Sequence, residues 1–61
     1  MKEHYVLLED GTTGMIQDNS IDYQDPKNFI GETMNVHLHD ENGNPIEKEG
    51  VLVSVEYTTE Y

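Results

Sequence analysis

His37 and His39 stand two residues apart in NVHLHDENGNPIE, residues 35–47. In an extended strand, side chains two apart project from the same face. Two imidazoles so placed suit a divalent metal, with Asp40 or Glu47 as an oxygen ligand and His4 joining if the first strand runs alongside. The competing reading is two solvent-facing polar positions beside a buried Val36 and Leu38. Asp40, Asn42 and Asn44 also alternate as at the start of an EF-hand loop. Such a loop requires glycine at its sixth position and glutamate at its twelfth. Counting from Asp40, those positions are Pro45 and Val51. Turn preference accounts for the Asp and Asn spacing, because these residues tolerate and stabilise tight turns.

Other chemistry has less to stand on. Ser20 and Ser54 are the only serines, and neither sits in a Gly-x-Ser-x-Gly elbow. Gly11 and Gly14 are three apart, but no lysine follows as in a phosphate loop. Without cysteine, thiol catalysis, disulfides and zinc-thiolate sites drop out. A pair of carboxylates for acid–base work can be drawn in any chain with 13 acidic residues, so drawing one proves nothing. The chain reads as non-enzymatic and as needing no cofactor.

The acidic residues themselves are the stronger signal. Thirteen acids face three lysines and no arginine, a formal net charge of −10. Nucleic-acid affinity comes largely from cations that displace counterions from phosphates, and Lys2, Lys27 and Lys48 cannot provide it. An anionic membrane surface is disfavoured for the same reason. A basic protein surface is favoured. Asp18, Asp22 and Asp25 cluster with Tyr23 in the centre of the chain, and Asp40, Glu41, Glu47 and Glu49 surround NG at 42–43. These eight residues form the candidate partner-binding set, with Tyr5, Tyr23, Tyr57 and Tyr61 as aromatic anchors of a type favoured at interfaces. The sharper form of this reading is mimicry, in which carboxylates spaced like phosphates occupy the groove of a nucleic-acid-binding protein. Two alternatives stay open: a divalent-metal protein using His37 and His39, and a structural domain of a larger assembly whose acidity serves only solubility.

Strands must position these groups. HYVLLE, residues 4–9, is apolar at nearly every position and predicts a strand covered on both faces, or a short buried one. TTGMIQ, residues 12–17, predicts a second short strand between the breaks at DG and QDNS. Asp25 before Pro26 is helix-start chemistry, and Gly31 suits a helix end, so a single helical or 3₁₀ turn is expected at 26–30, with Phe29 and Ile30 plugging the core. Met34, Val36 and Leu38 alternate with Asn35, His37 and His39, the pattern of a half-buried strand. In residues 51–57, Val51, Val53, Val55 and Tyr57 are expected on the core face, with Leu52, Ser54 and Glu56 outside. A two-residue turn at Asn42-Gly43 places Met34 opposite Val51 but sets Val36 and Leu38 opposite glutamates, so a bulge or second bend is expected near Gly50.

Together these predict a single domain over 1–61, mostly β. The expected fold is a small antiparallel SH3-like barrel or rolled sheet of four or five short strands, with an OB-like barrel second. Folding such a short chain buries only about 60% of its unfolded surface. No apolar run approaches a membrane span and the N-terminus is unlike a secretory signal, so the expected location is cytoplasmic. If residues 51–57 form an edge, pairing between two copies is a further route to association.

Overall fold

The computed structural model describes residues 2–60. Tyr61, the last of the candidate aromatic anchors, lies outside them. Four antiparallel strands close into a ring: β1 (Lys2–Leu8), β2 (Thr13–Gln17), β3 (Thr33–His39) and β4 (Pro45–Glu60). Two 3₁₀ turns, Asp18–Ile21 and Pro26–Phe29, lie between β2 and β3. The expected rolled β domain is therefore observed, and no helix among the described residues is long and apolar enough to cross a membrane.

The interior is built by alternation. On β1, His4, Val6 and Leu8 are buried while Tyr5 and Leu7 are half-buried on the outside. This strand is therefore fully covered on one face only, not on both as its run of apolar residues predicts. Val6 and Leu8 meet Ile16, Ile21, Val36 and Leu52 in the core, with Phe29, Met34, Leu38 and Val55 packed around it. β2 leans closely on β3: a Cβ at Gly14 would lie 2.5 Å from Cγ2 of Val36.

β4 is the element whose shape departs most from expectation. Its first part pairs with β3 from Pro45 to Val51, and its second part pairs with β1 from Leu52 to Glu60. A strand shared between two partners must bend, and β-bulges supply the bend. Tyr5 pairs with Tyr57 and Val6 with Val55, which leaves Glu56 as an extra residue. Leu7 pairs with Ser54 and Leu8 with Leu52, which leaves Val53 as another. Each extra residue reverses the inside–outside phase. Leu52 is therefore fully buried and Val53 is 40% exposed, the reverse of the sequence expectation. Closure of the ring also gives residues 51–57, considered above as an edge, β1 as a neighbour.

The hairpin register needs no bulge at Gly50. Pairing runs without interruption from Thr33–Val51 through Val36–Lys48 to His39–Pro45. The loop has three residues rather than two: Asp40 N–H donates to Asn44 O and Gly43 N–H donates to Asp40 O, both at 3.0 Å. Gly43 has φ +82°, the left-handed residue that follows a type I turn in such hairpins. The extra loop residue moves Val36 from Glu49 to Lys48, whose chain reaches over to Asp10 and Thr12 in the β1–β2 turn.

The expected turn at 26–30 forms at Pro26–Phe29, with Asp25 Oδ1 accepting from Lys27 N–H at 3.0 Å. Phe29 packs against the core as expected, but Ile30 is 47% exposed. Gly31 N–H instead ties this end to Leu52 O at 2.8 Å. The fully buried plug is Ile21, on the preceding 3₁₀ turn. Asp22 and Tyr23 follow it with φ of +52° and +61°.

Candidate functional site

The candidate acidic residues fall in two separate places. Asp18, Tyr23 and Asp25 line an open depression of about 470 Å³ together with Lys2, Lys27 and Thr58. Asp18 is not a free surface charge within it. Its Oδ1 lies 2.8 Å from Nε2 of His4, and His4 Nδ1 lies 2.9 Å from Oγ1 of Thr58. The Asp18 side chain is only 14% exposed and that of His4 4%. A carboxylate can only accept, so Nε2 carries the proton; Nδ1 accepts from Thr58 in the neutral ring and donates to it in the charged one. Strand alternation places His4 inside, and the 3₁₀ turn brings Asp18 to meet it. Asp25 serves as the cap of the second turn, Tyr23 stands exposed at the depression, and Asp22 is exposed beside it in sequence.

The second group lies on the β3–β4 hairpin. Asp40 organises the loop: its Oδ1 accepts from the N–H groups of Asn42 and Asn44, both at 2.9 Å. The Asn44 N–H bond, the largest effect, outweighs the opposing desolvation, and with the weaker Asn42 bond it holds the carboxyl below the usual carboxylate range. Glu41, Glu47 and Glu49 are exposed. Glu47 Oε1 sits 3.5 Å from Nδ1 of His37, directly across the strand pair. Asp10, in the β1–β2 turn, is tied more tightly. A hydrogen bond from Lys48, then bonds from Thr12, lower its pKa to about 2.

His37 and His39 share the outer face of β3, as two-residue spacing requires. His4 cannot join them, because both its ring nitrogens are engaged inside the barrel. Among the described residues, no three His, Cys, Asp or Glu side chains are grouped to hold a metal ion.

Sequence reasoning missed the hydrogen-bonded chain Asp18–His4–Thr58. The buried parity of His4 in a run with Val6 and Leu8 was a usable signal for its burial, but its partners depend on the register of β4 and on the first 3₁₀ turn. Sequence reasoning also missed the stacking of Tyr5 on Tyr57, with ring centroids 4.5 Å apart and planes 12° from parallel. No protein-family model, curated protein or solved structure matches the chain.

Proposed function

We propose that the chain is a small acidic binding module, cytoplasmic, SH3-like and non-enzymatic, which docks on a basic surface of a partner protein. One observation carries this reading: every residue from 39 to 49 is exposed, so the hairpin presents Glu41, Glu47 and Glu49 outward. The chain's few cations do not neutralise this face. Lys48 is bound to Asp10 and Lys2 lies 3.9 Å from Glu60. Carboxylates held on a rigid strand pair steer a cationic partner and set its orientation. Asp22, Tyr23 and Asp25 form a second exposed acidic stretch, and Asp18 is withdrawn from the partner-binding set because His4 holds it. The sharper form is a mimic that blocks the groove of a nucleic-acid-binding protein.

Affinity capture from the source cells tests this, with the native chain and a Glu41→Lys, Glu47→Lys, Glu49→Lys variant compared at low and high salt. The expected result is a basic protein held by the native chain at low salt and lost both in high salt and with the variant. Added DNA should displace it if the module is a mimic. A partner insensitive to both salt and charge reversal overturns the reading.

A further inference from the structure

The outer surface of the ring carries one continuous row that the acidic residues alone do not reveal. Register places Tyr57 beside Tyr5, Tyr5 beside Met15, Met15 beside His37 and His37 beside Glu47. The row therefore crosses all four strands, from the aromatic stack to a carboxylate.

Beside the middle of this row the regular pairing of the sheet is interrupted. β2 and β3 pair only at Met15–His37. The next positions along an antiparallel register, toward Thr13 on one strand and His39 on the other, are not paired. A groove of about 320 Å³ lies there, with Thr13 and Met15 on one side, His37 and His39 on the other, and Tyr5 and Pro45 among its remaining lining residues. An extended segment can lie along such a groove with alternate side chains facing its lining.

We propose that this groove takes an extended peptide segment of a partner, with an arginine or lysine side chain laid against the Tyr5–Tyr57 stack. The proposal rests on the docking function above and gives it a location. Charge complementarity selects the occupant. The chain carries −10, Glu47 ends the row, and Tyr57 is 56% exposed. A cation over a tyrosine face is attracted by the ring quadrupole, and guanidinium also stacks on it. An acidic or neutral segment would gain neither effect.

A capped peptide of alternating arginine and threonine is the probe, with a control in which citrulline replaces each arginine. Titration into the ¹⁵N-labelled chain at low salt is followed by amide shifts. The expected result is movement at Thr13, Met15, His37, His39 and Tyr57 with the arginine peptide and little with citrulline. Tyr57→Ser should weaken binding about two- to fivefold, the factor an exposed cation–π contact supplies, while its dispersed spectrum reports an intact fold. Shifts confined to Glu41 and Glu49, or to residues 22–25, overturn the groove and leave the docking reading standing. Failure of the native chain to bind the arginine peptide at low salt overturns both.

Discussion

Nε2 of His4 and Oδ1 of Asp18 lie 2.8 Å apart between β1 and the first 3₁₀ turn, at a site almost closed to water. The pair fastens the turn that delivers Ile21 to the core. Truncating the carboxylate leaves a buried ring N–H without an acceptor, which costs about 1–3 kcal/mol. Asp18→Ala should therefore lower the urea midpoint by that equivalent. Asp18→Asn should cost less, because its amide oxygen can still accept. Neither change should alter salt-dependent partner capture. A cost for Asp18→Ala below about 0.5 kcal/mol, the range of ordinary surface changes, would return Asp18 to the docking face.

The bulges in β4 reverse the ranking of two adjacent positions. Leu52 has no exposed surface and lies in the core opposite Leu8. Its truncation to Ala should cost about 2–5 kcal/mol. Val53 is 40% exposed, and Val53→Ala should stay within about 0.5 kcal/mol. Denaturation midpoints of the two variants check this directly. Equal costs, or a larger one at Val53, would mean that β4 keeps a single phase from residue 51 to residue 57.

Acid should erase the stability difference between native protein and the Asp10→Asn variant. The folded pKa of Asp10 is lowered to about 2 from an ordinary value of 3.8, first by the Lys48 hydrogen bond and then by Thr12. A depressed carboxyl stabilises the fold above its unfolded pKa and loses that contribution as pH falls through the folded value. The stability gap between native chain and variant should be full above pH 4 and close as pH approaches 2. Asp40, also depressed, adds to the same trend in the native chain. A gap unchanged across that window in urea melts would contradict the Asp10–Lys48 pairing.

Two glycines should fail for different reasons. Gly14→Ala puts a methyl 2.5 Å from Val36 Cγ2 and 3.3 Å from His37 O, so β2 must move off the core. Overpacking of this kind costs about 1–3 kcal/mol. Gly43 has open space around it but φ +82°. There Gly43→Val should destabilise more than Gly43→Asn, since asparagine tolerates the left-handed region and a β-branched residue does not. Thermal melts of the three variants give the order. Val and Asn behaving alike at position 43 would mean that the loop adopts another conformation.

Legibility in the sequence followed the range of the forces involved. The Asp25–Pro26 start and the alternation of Met34, Val36 and Leu38 are local, and both appear where the residues predict them. The loop at 40–44 was visible as a turn, but its length was not, because Asn-Gly fits both a two-residue and a three-residue loop and the choice rests on Asp40 bonding to Asn42 and Asn44. The bulges at Val53 and Glu56 follow from β4 having to serve two neighbours, which no window of sequence encodes. The candidate site divided along the same line. Exposure of Glu41, Glu47 and Glu49 was readable from the hairpin pattern, whereas Asp18 left the surface through a partner 14 residues away. The row from Tyr57 to His37 became visible only once register was known.

Salt should stabilise the fold. An excess of ten negative charges on 61 residues makes the compact state self-repulsive. Raising ionic strength from about 0.01 M to about 0.15 M shortens the Debye length from about 30 Å to about 8 Å, which is less than the 27–31 Å long dimensions of the molecule. Repulsion between carboxylates on opposite sides of the ring is then removed, while the short Lys48–Asp10 bond at 2.6 Å is screened far less. The melting temperature should rise across this range, with sodium chloride and potassium chloride acting alike because the effect is screening and not ion binding. A fall would show that the exposed ion pairs outweigh the net charge. A rise with only one cation would point to an ion bound by carboxylate or carbonyl oxygens rather than to screening.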